Sequence, residues 1–169
     1  ILAGELVASP RPASPHIRAA SLLGALLTPP FDMGVGGPGG WWIVDEPELS
    51  LAVDPDYDPV IPDLAGWRHQ TMPEQPVAAQ YNTIPDWVCE VVSPSTVRHD
   101  RVLKVPFYAR AGVGHAWLVD PVAQTLEVYR LDAGIYQLAL TASTNDRVRA
   151  EPFDAVELEL ELLWRRRAV

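Results

Sequence analysis

The sequence predicts an α/β protein in which a mixed sheet is flanked by helices. Three observations carry that expectation. Residues 84–92 (IPDWVCEVV) form a near-continuous apolar run bounded by turn residues, the pattern of a central strand covered on both faces. Residues 13–27 repeat apolar side chains at Ile17, Ala20, Leu23 and Leu27, the spacing of a helix with one buried face. Beyond residue 115, short alternating segments are separated by turn residues, as in antiparallel strands.

Taken in chain order, residues 4–9 (GELVAS) read as a short strand ended by Pro10 and Pro12. The helix over 13–27 is expected to stop at Pro29 and Pro30. The stretch 34–40 (GVGGPGG) is a loop, and without Lys-Ser/Thr behind its glycines it lacks the phosphate-cradling P-loop pattern. Residues 41–53 are strand-like and interrupted at Pro47. Residues 54–58 (DPDYD) mimic the start of a calcium loop, but Pro59 and Ala65 stand where glycine and glutamate are needed, so they read as an acidic turn. A strand over 60–67 holds Pro62-Asp63-Leu64, and a polar, proline-rich connection follows over 68–81.

After the apolar strand, Ser93-Pro94-Ser95-Thr96 offers helix caps, and 97–111 predicts a helix stopped by Gly112 and Gly114. Pro106 lies inside it and is expected either to kink the helix or to mark its start near Val105. Strands are predicted over 115–119, 126–131, 135–142 and 155–164, the last ones adding an antiparallel hairpin region at the C-terminal end. Residues 165–167 form a basic tail, read as solvated. One domain over 1–169, without internal repeat, is expected.

The formal net charge is −9, so the bulk field repels phosphate backbones. That argues against a non-specific nucleic-acid binder, though not against an enzyme with a local basic cleft. The charge is uneven: carboxylates crowd 45–63, whereas 98–110 is basic. Cys89 is the only cysteine, which rules out an internal disulfide and suits a reducing compartment, so a cytoplasmic location is expected. No apolar run approaches the ~20 residues of a membrane helix, and no secretory signal is recognised.

Three residues stand out as candidates for chemistry. Strand alternation puts Val88, Glu90 and Val92 on one face and Trp87, Cys89 and Val91 on the other. A carboxylate in such a strand is costly unless it is paired or bound to a metal. A buried ion pair to arginine explains Glu90 as well as a cation does. Asp63 also lies among apolar neighbours, although a turn or cap aspartate is the commoner role. Adjacent strands would bring the two within reach of one hard cation such as Mg²⁺, which uses one or two carboxylates and keeps several waters.

Lys104 is the only lysine among 13 basic residues, as though this position requires a compact point charge. Asp100, Lys104 and Tyr108 follow at helical spacing on nearly one face, so the lysine is either directed toward Glu90 or paired with Asp100 at the surface. His16 near the start of the first helix either faces the same cleft or caps the helix. His69, His99 and His115 have no metal-ligand spacing. Ser93 and Ser95 sit in a capping turn and make poor nucleophiles, and Asp45 and Glu46 either assist a metal or, the commoner role, belong to a solvated hairpin.

Gly-Glu-Leu-Val (4–7), Pro62-Asp63-Leu64, Glu90-Val-Val-Ser-Pro-Ser-Thr96, Asp100 with Lys104 and Tyr108, Ala-Gly-Val (111–113) and Trp117-Leu-Val-Asp-Pro121 form an ordered set. This set resembles the Uma family of bacterial restriction-endonuclease-like proteins, assigned to the PD-(D/E)-x-K nuclease superfamily, over nearly the whole chain. The resemblance implies a restriction-endonuclease-like core, with Asp63 and Glu90 as ligands of Mg²⁺ (or Mn²⁺) and Lys104 as the catalytic lysine. It also implies nucleic acid, DNA above all, as substrate, and a homodimer, since enzymes that cut both strands often dimerise. One departure stands out: the superfamily's lysine lies two residues after the acid, where this chain has Val92. Glu5 of the first strand is either an added acid or an exposed strand glutamate.

Two other functions fit the same residues. One is a catalytically inactive module on the same fold that binds nucleic acid or protein, suggested by the acidic charge and the displaced lysine. The other is an enzyme acting on a small phosphorylated molecule.

Overall fold

The computed structural model describes residues 14–165. The predicted strand over 4–9, with Glu5, and residues 166–167 of the basic tail lie outside the described residues.

A six-stranded mixed sheet organises the fold. Its strands are β1 (Trp41–Asp45), β3 (Leu64–Arg68), β5 (Trp87–Val91), β6 (His115–Asp120), β7 (Thr125–Asp132) and β8 (Ile135–Ser143), and they lie side by side in that order. Within this sheet, among the described residues, only β5 and β6 are parallel neighbours; its other pairings are antiparallel. Two short pairs lie apart from it: β2 (Glu48–Leu49) with β4 (Gln80–Tyr81), and β9 (Arg147–Val148) with β10 (Leu158–Glu159). Every residue of β5 is buried, as the apolar run predicts.

Helices cover both faces. On one, α1 (Ser14–Leu27) buries Ala19, Leu23 and Leu27 against Trp87, Cys89 and Val91 of β5. Removing each leucine side chain from water contributes about 2 kcal/mol. On the other, α3 (Val105–Ala111) packs Phe107, Tyr108 and Ala111 against Val88, Ala65 and Trp67. The two faces of β5 follow the predicted alternation. Parallel neighbours need a crossover, and α3 with the segment before it supplies the one between β5 and β6.

Several boundaries differ from expectation. Pro29 and Pro30 do not end the first helical run; a π-helical turn, Thr28–Asp32, continues it. Both prolines fall at the start of that turn, where a missing N–H is tolerated, and Val35 and Gly39 donate N–H groups to their carbonyls. The strand expected over 60–67 begins only at Leu64, because Pro59 and Pro62 cannot donate to a ladder; Val60 makes an isolated bridge to Leu49. Residues 41–53 divide at Pro47 into β1 and β2, and the acidic turn is a 3-10 turn, Pro55–Tyr57, capped by the Asp54 side chain.

At the C-terminal end, only Leu158 and Glu159 pair. The chain then turns into α4 (Glu161–Trp164), which brings Leu163 into the core beside α1. The leucines that alternate as a strand would also serve a short helix. Among the described residues no helix is long and apolar enough to cross a membrane.

Pro106 causes no sharp break. Val97–His99 (α2) runs into a π-helical turn, Asp100–Lys104, and then into α3, with right-handed helical angles at each junction. Val105 donates to the Asp100 carbonyl, one residue further back than in an α-helix, and Pro106 follows in the first turn of α3. The wide turn takes up a residue just where proline removes a donor. Gly112 then closes α3 at φ 86°. An alanine Cβ there meets nothing within 4 Å. Gly112→Ala is therefore expected to lower stability by about 1 kcal/mol through backbone strain alone, measurable by denaturant unfolding.

Candidate functional site

At the C-terminal end of β5 the sheet carries a carboxylate that burial alone makes expensive. The Glu90 side chain is 3% exposed and points to the α3 face. Both its oxygens have donors: Tyr108 Oη at 2.6 Å from Oε1 and Lys104 Nζ at 2.8 Å from Oε2. The wide turn before α3 is therefore part of what delivers the only lysine to Glu90. Lys104 Nζ also donates to the Ile61 carbonyl at 3.0 Å and lies 3.7 Å from Asp100 Oδ1.

Asp63 reaches the same end of β5 from the next strand. The β3–β5 register pairs Leu64 with Cys89, so Asp63, one residue before β3, continues opposite Glu90. Its Oδ2 accepts the Val91 N–H at 2.6 Å, and its backbone carbonyl accepts from Glu46. His16, in the first turn of α1, lies 3.3 Å through Nε2 from Asp63 Oδ1, while its Nδ1 is buried without a partner among the described residues. A cleft of about 230 Å³ opens beside them, lined by His16, Ser21, Asp45, Glu46 and Asp63. Asp45 and Glu46 are solvent-exposed, as a hairpin reading expects, yet they form the acidic rim of this cleft. Val92, at the superfamily's lysine position, is fully buried. Glu5 lies outside the described residues.

The electrostatics follow from three carboxylates around one ammonium. Burial pushes the Glu90 carboxyl up to about 8; Lys104 pulls it back, and Asp63 and Asp100 push again. Burial also raises Asp100, with Lys104 and Thr96 opposing. For Lys104 burial acts downward, but Glu90 and Asp100 outweigh it and hold the ammonium above its ordinary value. These directions compete for one charge, because a protonated Glu90 no longer supports Lys104. Full enclosure of Glu90 makes its upward displacement the governing one; Lys104 keeps 14% of its side chain in solvent and stays charged beside Asp100. Its contact with Asp63 raises His16 against the effect of burial.

The donor set fits a hard cation. Each oxygen of Asp63 and Glu90 has one donor or cationic neighbour and retains a lone pair. The cluster is also short of positive charge. Among the described residues no group of three His, Cys, Asp or Glu side chains is placed to hold a metal ion, so a cation here would rest on the two carboxylates and water.

Sequence reasoning did not reach the Ile61 carbonyl and the Val91 N–H, since backbone groups carry no side-chain signal, and nothing singled out Ser21. Of the other histidines, His99 lies 3.9 Å from Asp100 and His115 pairs with Glu151 elsewhere.

A family model, Uma2, described as putative restriction endonuclease, matches residues 1–162. The chain belongs to the Uma2 family. A crystal structure of a putative nuclease belonging to DUF820, from Anabaena variabilis ATCC 29413, aligns over 95% of this Uma2 chain and 86% of its own, with a TM-score of 0.71 at 20% identity. At that identity the likeness establishes the fold: a nuclease-like mixed sheet with flanking helices. No curated protein matches the sequence.

Proposed function

We propose that this Uma2 protein hydrolyses phosphodiester bonds of nucleic acid, DNA above all, using Mg²⁺ or Mn²⁺ held by Asp63 and Glu90. The observation that carries the proposal is the convergence of Asp63, Glu90 and Lys104 at one end of β5, in a family described by its nuclease relationship. When bound, such a cation supplies Lewis acidity and an activated water. The chain's own groups prepare the site. Tyr108 and Lys104 fix the two oxygens of Glu90, the Val91 N–H and His16 fix those of Asp63, and Lys104 adds positive charge where negative charge builds on a phosphoryl group.

The test is cleavage of DNA and RNA with Mg²⁺ or Mn²⁺, comparing the native chain with Asp63→Asn and Lys104→Ala. Each substitution is expected to slow cleavage by about a hundredfold or more. Unchanged cleavage in both would sink the assignment. Cutting both strands of a duplex takes two such sites, so we also propose a homodimer in the cytoplasm, checked by solution mass against the 18.6 kDa of one chain.

A second reading, a non-catalytic binding module, draws on the tendency of Glu90 to stay protonated near neutral pH. It predicts no heat of magnesium binding by calorimetry.

A further inference from the structure

We propose that Asp100 is a positioning residue: together with the Ile61 carbonyl it fixes the Lys104 ammonium against Glu90 Oε2, at a cost to the stability of the fold. The cleavage part of this proposal rests on the hydrolytic reading above. The placement of the ammonium does not, and it can be measured without any cleavage.

Asp100 is an expensive residue for its place. Its side chain is 5% exposed, and the nearest cationic nitrogens are Lys104 Nζ at 3.7 Å and His99 Nδ1 at 3.9 Å. Both are within ion-pair range but beyond hydrogen-bond length, so among the described residues the carboxylate is enclosed with only loose ionic partners beside its hydrogen bond from Thr96. Burial of that kind costs the fold stability, so the presence of the charge points to another use. The Lys104 contacts supply that use. An ammonium on a flexible four-carbon stem has many rotamers, and a single acceptor does not hold it at a point. Lys104 Nζ has three oxygen neighbours from three segments: Glu90 Oε2 on β5, the Ile61 carbonyl before β3, and Asp100 Oδ1 in its own turn. Three directions fix a position where one or two leave a swing.

The backbone agrees. Asp100 and Lys104 are the first and last residues of the π-helical turn, and the Val105 N–H closes that turn on the Asp100 carbonyl. Asp100 therefore belongs to the same wide turn that presents the lysine, which ends two residues before the proline that interrupts α-helical bonding. A substitution that keeps the shape and removes the charge separates positioning from packing. Asparagine retains an acceptor for Thr96 and relieves the burial of charge.

For Asp100→Asn we expect an unchanged or higher thermal midpoint, together with a Lys104 ammonium that has moved. Because Lys104 is the only lysine, a chain labelled isotopically at lysine gives one side-chain ammonium signal by NMR, with no ambiguity of assignment. That signal is expected to shift and to exchange its protons faster in the variant. Where cleavage is measurable, kcat is expected to fall about tenfold with KM unchanged, the pattern of an interaction needed in the transition state. A lowered midpoint, or a variant that fails to fold, makes Asp100 a structural residue and overturns the proposal; an unmoved Lys104 signal does the same. A shifted signal in a protein that cleaves nothing, native or variant, leaves the placement standing and removes the hydrolytic reading instead.

Discussion

Replacing Glu90 with glutamine is expected to abolish magnesium binding and cleavage while leaving the protein at least as stable as the native chain near neutral pH. The two effects part because burial and chemistry make opposite demands on this side chain. Glutamine is nearly isosteric. Its amide oxygen can accept from Lys104 Nζ and its NH₂ group can donate to the Tyr108 hydroxyl oxygen; the buried Tyr108 proton then loses its acceptor, a cost of about 1–3 kcal/mol set against removal of the buried charge. The buried negative charge disappears, and with it the cause that raises the carboxyl to about 8. What is lost is an anionic ligand. Forfeiting several kcal/mol of cation-borne charge stabilisation slows cleavage by about a thousandfold or more. Calorimetry with Mg²⁺, cleavage rates and a thermal melt on the same samples check the three parts. A Glu90→Gln protein that binds magnesium like the native chain removes Glu90 from the ligand set. Lys104→Ala should behave differently, losing stability as well as cleavage, because it leaves Glu90 Oε2 without its donor and the buried Asp100 carboxylate without its nearer cation.

Glu90 was legible in the sequence because it interrupts an apolar strand whose alternation assigns every side chain to a face. Such a periodicity is robust to the exact ends of the strand. Asp63 was legible as a residue but not as a position. The sequence pattern places it inside a strand, whereas the prolines at 59 and 62 delay pairing so that it stands just before β3. That delay leaves its carboxylate free to accept the Val91 N–H. Lys104 is marked by being the sole lysine and by its spacing from Asp100 and Tyr108, whereas Pro106 argues on propensity against a continuous helix there. The conflict disappears in a π-helical turn, which no propensity scale distinguishes from an α-helix, since it differs by one residue in the hydrogen-bond ladder. The misread strand over 155–164 has a related cause. Its leucines satisfy a two-residue period, and only the position of α1 decides that Leu163 reaches the core from a helix. The Ile61 carbonyl and the Val91 N–H depend on how strands end, which is tertiary information.

Without a cation the protein is expected to lose stability steadily as the pH rises from mildly acid to mildly alkaline, and magnesium is expected to restore it. Glu90 ionises near 4.5 in the unfolded chain and near 8 in the fold. Below 4.5 it is protonated in both states, and the stability conferred by its protonated form is fully present. Between the two values the fold binds a proton that the unfolded chain has released, so stability falls by up to about 1.4 kcal/mol per pH unit. The loss is complete once the pH passes the folded value. The raised carboxyl of Asp100 and the raised imidazole of His16 act with the same sign, each losing its contribution as the pH passes its folded value. On the proposed reading, a divalent cation held by Asp63 and Glu90 would take over the neutralising role of the Glu90 proton. Its affinity should therefore rise with pH, by up to about tenfold per unit, and level off above the pKa of Glu90. Thermal midpoints between about pH 5 and about pH 9, with and without Mg²⁺, measure both arms. The expected result is a pair of curves that diverge as the pH rises, and in Glu90→Gln the divergence should vanish. Midpoints that hold level without the cation would mean that Lys104 already keeps Glu90 ionised, so that the site's excess of negative charge is balanced from within and exerts no pull on a metal.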